Sequence, residues 1–385
     1  MERNRSLKQI SFSRPYLFKE EARAAADTVL SGWIAGGPRL AELESLFAAE
    51  TGKRHAVGVS SWTTGAFLVL KAWGIGPGDE VIVPSYSFIA TANVVVHAGA
   101  KPVFCDINPD THNMDVAHAA SLVTGRTRAI LPVDQLGMPC DMDAVRRLAA
   151  KKKLHVLEDA ACAIGSVYKK KPVGSQAEAA VFSLHARKIV TCGEGGMIVT
   201  DDEKLAVKLK LLRHQGMSVT DIERHQAPKP IIESYPEIGY NMRMTDIQAA
   251  VACIQMKRLG KILRLRRKVT EGYAKRLGRF RRLLLPREPD GTRGNWQSYM
   301  ISLTPDAGIT VYELMCALHA RGIPTRRGVM AAHLEPCYKK RGVAVIPSLP
   351  HTEYAVRHNL LLPVHPQLTQ PQLDRVSSAL WQILG

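Results

Sequence analysis

The chain has 385 residues, of which 46% are hydrophobic, and a formal net charge of +17. This length favours a large core and two domains. Because no run of about twenty apolar residues occurs, a membrane-spanning helix is not expected. The first fifteen residues lack the apolar core of a signal peptide, which favours the cytoplasm. The seven cysteines are scattered without a CxxC pair, so neither a disulfide framework nor a metal site is predicted.

Helical patterns alternate with short apolar strands over the first two-thirds of the chain. Helices are predicted at EEARAAADTVLSG, RLAELESLFAAETG, TTGAFLVLKAWG, FIATANVVVHAG and DMDAVRRLAAKKK. Seven strands are predicted at HAVGVSS, EVIVPSY, KPVFCDI, RAILPVD, LHVLEDA, AVFSL and GMIVTDD. The alternation predicts an α/β fold of βαβ units. Its mostly parallel seven-stranded sheet would be flanked by helices and buried on both faces.

The pattern changes from Asp246 onward. The stretch to Phe280 is predicted to be a long helix, interrupted or weakened at Gly260. Strand candidates SYMISLT and LLLPV then lie among the helical patterns VYELMCALHARG and QPQLDRVSSALWQIL. We therefore predict a large domain over residues 1–255 and a smaller α+β domain over residues 256–385, joined by the long helix.

That helix is strongly basic. Between Lys257 and Arg282 there are twelve Lys or Arg residues and one acid, Glu271. The run is either a surface for an anionic partner, such as nucleic acid, anionic lipid or a phosphorylated substrate, or a solvated helix face. The second interpretation is favoured, because no nucleic-acid-binding module is visible in the sequence.

Two segments carry the groups that most clearly indicate chemistry. Lys188 follows a predicted strand and precedes a glycine-rich turn in FSLHARKIVTCGEGG, and HVLEDAACAIGS contains the acidic pair Glu158 and Asp159. Pyridoxal phosphate needs a lysine for its Schiff base and an acid for its ring nitrogen. Glu158 should point away from Asp159, because side chains alternate along a strand. The alternatives are a surface lysine and a helix cap at Asp159.

Phosphate and ring contacts have weaker candidates. In GVSSWTTGAFLVLKAWG, a strand, turn and helix would present amides and the Thr63 and Thr64 hydroxyls to phosphate, although either threonine could instead cap the helix. Ser183 could also bind phosphate. Phe88 follows a strand end and could stack on a flat ring, or belong to the core. His185 could tune the pKa of the lysine or hold a substrate group.

Seven motifs together resemble one family. In chain order they are GWIAGGP, GIGPGDEVIVPSYSFIATAN, GAKPVF, MPCDMDA, LEDAACAIGS, FSLHARKIVTCGEGGMIVTDD and GYNMRMTDIQAA. They resemble the DegT/DnrJ/EryC1/StrS nucleotide-sugar aminotransferases, within fold type I of pyridoxal-phosphate enzymes. The resemblance runs from about Phe12 to the C-terminus and is most specific between Gly58 and Ala250.

The resemblance implies a role for each candidate residue. Lys188 would form the Schiff base and shuttle the proton, and Asp159 would pair with the pyridinium nitrogen. The remaining residues would surround cofactor and substrate: Thr63, Thr64 and Ser183 at the phosphate, Phe88 on the ring face, Cys162 beside the ring, Asn241 at the phosphate from the partner subunit of a homodimer, and Trp33, His185 and His333 near the substrate.

Two positions depart from the family pattern. Cys162 stands where glutamine or histidine is frequent beside the ring, and a thiol is a poor hydrogen-bonding partner. Trp62 stands where glycine is common in the phosphate turn. Both departures affect the cofactor contacts that the resemblance implies.

The resemblance implies transfer of an amino group, from L-glutamate, to a keto group of a nucleotide-diphosphate sugar. A keto-cyclitol acceptor is an alternative. A pyridoxamine-dependent sugar dehydratase is another, although members of that branch carry histidine in place of Lys188. The +17 charge alone supports a third alternative, a cofactor-binding regulator or a nucleic-acid binder.

Overall fold

The computed structural model describes residues 9–340 and 342–385. Residues 1–8, which belong to the segment tested for a signal peptide, lie outside the described residues. The described strands, in chain order, are β1 (His55–Val59), β2 (Glu80–Pro84), β3 (Lys101–Cys105), β4 (Thr127–Ile130), β5 (His155–Asp159), β6 (Val167–Tyr168), β7 (Lys171–Pro172), β8 (Ala179–Ser183), β9 (Gly196–Thr200), β10 (Leu283–Leu284), β11 (Thr292–Arg293), β12 (Tyr299–Leu303), β13 (Arg326–Arg327) and β14 (Asn359–Leu362).

The helices in the described part of the chain lie between these strands. They are α1 (Lys19–Leu30), α2 (Pro38–Thr51), α3 (Trp62–Ala72), α4 (Ala90–His97), α5 (Val116–Ser121), α6 (Met142–Lys152), α7 (Glu203–Arg213), α8 (Asp221–Gln226), α9 (Asp246–Lys257), α10 (Leu259–Leu277), α11 (Val311–Ala320), α12 (Pro350–His358) and α13 (Gln370–Leu384). None of these helices is long and apolar enough to cross a membrane.

A seven-stranded sheet organises the first two-thirds of the chain. Its strand order is β1-β9-β8-β5-β4-β2-β3, and the seven predicted strands are confirmed. Neighbouring strands are parallel except at β9, which is antiparallel to both β1 and β8. Parallel strands need a long crossover, whereas antiparallel neighbours can be joined by a loop. The β8–β9 connection is such a loop, and Lys188 lies on it.

Helices cover both faces of this sheet. One core cluster packs residues of α3, α4 and α7 against one face, and a second packs α2 and α9 against the other. All five residues of β2, β8 and β9 are buried. The predicted burial of the sheet on both faces is confirmed, and it explains why these strands are apolar without alternation.

The C-terminal part has a sheet and a core of its own. Strands β10, β12, β14 and β13 form a four-stranded antiparallel sheet. A separate cluster packs this sheet against α10, α11 and α13. Ile10 belongs to the same cluster, and its N–H donates to the Gly322 carbonyl over 3.1 Å. The start of the described chain therefore packs on the C-terminal unit, and the division at residue 255 stays a prediction.

The long helix is interrupted at Arg258. Helix α9 ends at Lys257 and α10 begins at Leu259, with Arg258 at φ −100° and ψ −1°. The sequence predicted this interruption at Gly260, and the structure places it two residues earlier. Ile262 packs with the core of the large sheet, whereas Tyr273 packs with the C-terminal core. Helix α10 therefore connects the two units.

Several residues of the basic run form hydrogen bonds or ion pairs within the chain. Arg266 is buried and donates to the carbonyls of Trp296 and Gln297. Ion pairs of 2.7–2.9 Å join other members of the run to acids: Lys257 to Glu42, Arg258 to Glu20 and Glu21, Arg267 to Glu288, and Arg276 to Asp374. These ion pairs neutralise part of the basic charge within the chain, which weakens the interpretation of the run as a surface for an anionic partner.

Candidate active site

The loop after β8 holds Lys188 at the end of the sheet. The Lys188 N–H donates to the His185 carbonyl over 2.8 Å. The Leu184 N–H donates to the Gly195 carbonyl over 2.8 Å and joins the two ends of the loop. Lys188 is half-buried, and the following residues Ile189 and Val190 are buried. The segment is therefore part of the interior, which does not fit the alternative of a surface lysine.

The amine of Lys188 faces the loop that follows β5. Its Nζ donates to Cys162 Sγ over 3.0 Å. Within the described residues this nitrogen forms no ion pair with a carboxylate. Cys162, the departure from the family pattern, thus contacts the reactive amine directly.

Asp159 ends β5, next to β8 in the sheet. Its carboxylate is 4% exposed and accepts hydrogen bonds from Thr91 Oγ1 over 2.9 Å and from the Ala161 N–H over 3.1 Å. Burial raises the pKa of Asp159 to about 6, while these hydrogen bonds and the Lys188 charge oppose the rise. No helix begins here, since residues 160–166 are not helical. The helix-cap alternative for Asp159 is therefore wrong.

Glu158 points to the other side of the sheet, as predicted. It is buried, and its Oε2 accepts from the Gly174 N–H over 3.1 Å. Burial raises the pKa of Glu158 to about 7. The neighbouring Asp134 carboxyl is also buried, and its pKa is raised well above its ordinary value. Glu158 therefore belongs to a carboxyl pair behind the sheet, and Asp159 is the acid on the side of Lys188.

The turn predicted to bind phosphate lies at the same end of the sheet. Strand β1 leads into it, and Ser61 caps helix α3 by accepting from the Thr64 N–H over 3.1 Å. The Thr64 hydroxyl accepts from the Ser61 N–H over 3.0 Å and completes a capping box, so the capping alternative is wrong for Thr63 but correct in part for Thr64. The Thr64 hydroxyl donates to the Ser61 carbonyl over 2.9 Å. The amides of Trp62 and Thr63 have no acceptor within the described residues and are available to an anion.

A glycine brings this turn close to β8 and β9. Gly196 pairs with Val59 on one side and with Ser183 on the other. A Cβ at Gly196 would lie 2.4 Å from the Ser61 carbonyl oxygen. Because that space must stay empty, the helix terminus approaches the end of β8, where Ser183 lies. Ser183 is buried, and its hydroxyl accepts from the His185 N–H over 3.3 Å.

Phe88 and Trp62 have opposite environments. Phe88 is 61% exposed, so the alternative that it belongs to the core is wrong, and its ring is available to stack on a ligand. Trp62 is 6% exposed and packs in the core cluster on the α3 face. Its indole Nε1 is buried without a hydrogen-bonding partner within the described residues. The second departure from the family pattern thus fills core space and leaves the turn amides in place.

The three residues predicted near the substrate occupy different places. Trp33 packs edge-to-face on His225 with ring centroids 4.9 Å apart. A Cβ at Gly37 would lie 1.4 Å from the Trp33 Nε1, so Gly37 makes room for this indole. His185 lies on the same loop as Lys188, and its Nε2 is 3.7 Å from Glu194 Oε1. Burial lowers the pKa of its imidazole.

His333 is buried beneath the end of β2. Its Nδ1 lies 2.6 Å from Ser85 Oγ, and its Nε2 lies 3.8 Å from a Glu353 oxygen. Burial lowers the pKa of His333. A direct contact between His333 and a substrate stays a prediction.

Asn241 is exposed at the surface of this single chain. It forms an isolated bridge with His214, and the adjacent Met242 carbonyl accepts from the Ser60 N–H over 2.9 Å. The segment therefore runs beside the phosphate turn of its own chain. Its contact with a partner subunit stays a prediction.

Sequence reasoning missed three polar residues around the site. Ser87 and Thr91 are buried and lie behind Asp159, linked by a 2.8 Å contact between their hydroxyls. Asn295, from the C-terminal part, donates to the carbonyls of Cys162 and Ile164 over 2.7 and 2.9 Å. The only local signal was the four-residue spacing between Ser87, just before the apolar helix α4, and Thr91, in its first turn. Nothing in the sequence near Asn295 indicates its partners.

The chemistry of these groups fits pyridoxal phosphate. A buried carboxylate, a reactive amine, free helix amides and an exposed aromatic ring lie at the ends of β1, β2, β5 and β8. Asp159 is the group that would face the ring nitrogen, and the turn after β1 would hold the phosphate. Among the described residues, no cluster of three or more His, Cys, Asp or Glu could hold a metal ion.

Comparison with known proteins agrees with this site. The model of the DegT/DnrJ/EryC1/StrS aminotransferase family matches residues 15–381. The chain is 37% identical over 377 residues to the spore coat polysaccharide biosynthesis protein SpsC of Bacillus subtilis (strain 168), with 97% of each chain covered. It is also similar to the structure of DesV from S. venezuelae in complex with a ketimine intermediate, with a TM-score of 0.86, 35% identity and 94% of each chain covered.

Spr1654 from Streptococcus pneumoniae is a further structural relative, and it has been solved in a PLP-form and a PMP-form. The PLP-form has a TM-score of 0.90 and 27% identity, and covers 98% of this chain and 100% of that one. The PMP-form has a TM-score of 0.91 at the same identity. The predicted fold type I architecture, aminotransferase activity and pyridoxal phosphate cofactor are thereby confirmed. The chain belongs to the DegT/DnrJ/EryC1/StrS aminotransferase family.

Proposed function

We propose that this pyridoxal phosphate-dependent aminotransferase moves an amino group from L-glutamate to a keto group of a nucleotide-diphosphate sugar. The observation that carries the proposal is the placement of Lys188 on the loop after β8 and of Asp159 at the end of the adjacent strand β5, where the acid is buried. The enzyme would act as a homodimer in the cytoplasm.

Bound pyridoxal phosphate supplies the electron sink for breaking bonds at the substrate carbon. The amine of Lys188 would take a proton from the α-carbon of the donor and deliver one to the carbon that is aminated. Asp159 would hold a negative charge against the protonated ring nitrogen, which is stabilised because the site is buried. The Trp62 and Thr63 amides, with Ser183, would anchor the phosphate.

A sugar acceptor is supported by the relatives and by charge. SpsC is a spore coat polysaccharide biosynthesis protein, and the motifs of this chain resemble those of nucleotide-sugar aminotransferases. Arg187 is exposed directly beside Lys188, where a guanidinium could attract a diphosphate. A keto-cyclitol has no diphosphate and would not use this charge.

The acceptor is tested by a panel of nucleotide-linked keto sugars and keto-cyclitols, each incubated with enzyme and L-glutamate. Amine formation on a nucleotide sugar, with 2-oxoglutarate released in equal amount, is expected. Amination of cyclitols alone would reject the sugar acceptor. Deoxygenated sugar without 2-oxoglutarate would indicate a dehydratase. The presence of Lys188, which that branch replaces with histidine, argues against that outcome.

Lys188→Ala tests the role of the amine. The variant should lose the visible absorbance of the lysine-bound cofactor and all transfer from glutamate, because no other amine lies at this position. Lys204→Ala, at an exposed lysine on α7, is the matched control and should behave as wild type. Unchanged absorbance and turnover in Lys188→Ala would reject the proposed mechanism.

The shared site of the dimer is tested by mixing subunits. If Asn241 completes the partner's phosphate site, Asn241→Ala should weaken cofactor retention and leave Lys188 intact. Mixing it with inactive Lys188→Ala should restore some activity, because one site of the mixed dimer has both residues. A fully active monomer, or no recovery on mixing, would reject the shared site.

A further inference from the structure

We propose that Thr91, supported by Ser87, is a positioning residue that keeps the Asp159 carboxylate oriented and negatively charged for the ring nitrogen of the cofactor. The proposal concerns the aminotransferase reaction and is independent of which acceptor the enzyme uses.

The three side chains form a buried chain of hydrogen bonds. Ser87 Oγ lies 2.8 Å from Thr91 Oγ1, which lies 2.9 Å from Asp159 Oδ2. Ser87 and Thr91 are each 2% exposed, and Asp159 is 4% exposed. The three groups are therefore shielded from bulk solvent.

The negative charge of Asp159 fixes the donor and acceptor of each hydrogen bond in this series. An ionised carboxylate can only accept, so Thr91 donates its one hydroxyl proton to Asp159. The Thr91 oxygen is then the acceptor that remains for the Ser87 hydroxyl. The other carboxylate oxygen accepts from the Ala161 N–H over 3.1 Å. With both oxygens held, the carboxylate cannot rotate freely.

The contact also opposes the effect of burial on charge. Burial raises the pKa of Asp159, and the Ala161 and Thr91 hydrogen bonds lower it. Lys188, on the β8–β9 loop, lowers it as well. Other titratable groups nearby are Glu158, on the opposite side of β5, Asp134, on the loop after β4, and Cys140. All three are buried, and burial raises the pKa of each. Within the described residues none of them donates a hydrogen bond to the Asp159 carboxylate, so none stabilises its negative charge as Thr91 does.

Removing the Thr91 hydroxyl should therefore move the shared proton from the ring nitrogen toward Asp159. A neutral acid stabilises a protonated ring less, and the electron sink weakens. Thr91→Val replaces the hydroxyl with a methyl group of similar size, whereas Thr91→Ser keeps the donor. The pair separates hydrogen bonding from packing.

The experiment uses holoenzyme loaded with pyridoxal phosphate that carries ¹⁵N in the ring. In Thr91→Val the ¹⁵N signal should move toward that of an unprotonated ring. The half-reaction with glutamate should slow about tenfold to a hundredfold, the effect expected for a lost hydrogen bond to a charged group. The acid limb of the pH–rate profile of this half-reaction should move to higher pH. The KM for glutamate should change little. Thr91→Ser should restore both the signal and the rate.

Ser87→Ala provides an independent readout if Thr91→Val does not fold. It removes only the donor to Thr91, so a smaller change in the same direction is expected in both signal and rate. An unchanged ¹⁵N signal in the folded variant, or equal defects in Thr91→Ser and Thr91→Val, would overturn the proposal in favour of a packing role. Loss of turnover with some acceptors only would bear on the acceptor proposal and leave this one unaffected.

Discussion

Asp159→Asn should stabilise the cofactor-free protein while it disables the enzyme. The pKa of Asp159 is raised from 3.8 to about 6, chiefly because burial disfavours its charged form. At about 1.36 kcal/mol per pKa unit, an ionised Asp159 lowers the free energy of unfolding by ~3 kcal/mol. Asparagine has the same shape without the charge. Its Oδ1 can still accept from Ala161, and its NH₂ can donate to Thr91.

The sign of the effect depends on pH. Above about pH 6 the carboxylate is ionised in the folded and the unfolded chain. The full free-energy cost of burying the charge is then present, and the asparagine variant is more stable. Between about pH 6 and 4 the folded chain takes up a proton that the unfolded chain does not hold, so the native protein gains stability relative to the variant. Below the unfolded pKa of about 3.8 both states are protonated, and the difference disappears.

Urea unfolding of both cofactor-free proteins, at equal concentration and at several pH values, measures this difference. We expect the variant to be more stable by ~3 kcal/mol at pH 8 and equal to wild type near pH 4. Asp27→Asn, at an exposed acid on α1, is the control and should change stability by less than about 0.5 kcal/mol.

In the loaded enzyme the same substitution should slow the glutamate half-reaction on the order of a hundredfold or more, because the charge against the ring nitrogen is lost. A variant less stable than wild type at pH 8, or a stability difference independent of pH, would refute the argument that the buried charge is costly. Near-normal turnover would show that Asp159 does not face the ring.

Two further predictions concern the elements around the site. Gly196→Ala should destabilise the protein by roughly 1–3 kcal/mol and weaken binding of pyridoxal phosphate, since its methyl group would overlap the Ser61 carbonyl. Gly125→Ala, where no atom lies within 4 Å of the added carbon, is the control, and equal effects in urea unfolding would contradict the steric argument. Asp246→Ala should cost about 3 kcal/mol or more, because the buried carboxylate accepts from the amides of Gly37, Arg39 and Leu40. It should also raise the KM for the amino acceptor more than that for glutamate, and an unchanged KM ratio would exclude a substrate role for the loop at Gly32–Pro38.

Local patterns in the sequence were sufficient to predict the large sheet and the candidate site residues Lys188 and Asp159. Strand periodicity and apolar composition depend on neighbours a few positions away, so all seven strands were predictable. Asp159 ends one strand in the pattern and Lys188 follows the end of another, and the carboxyl ends of parallel strands meet at one edge. Their proximity therefore followed from the strand assignments.

The tertiary structure alone decided which side chains complete the site. Ser61 is the N-cap of α3 with Thr64 as its capping-box partner, and Cys162 lies against the Lys188 amine. Thr91 reaches Asp159 across 68 positions of the chain. Each contact depends on the register of strands and on how helices pack on the sheet, and a hydrogen bond tolerates only a few tenths of an ångström in distance. Periodicity places an element on the correct face of the sheet, but it does not bring two atoms from distant segments to within 3 Å of each other.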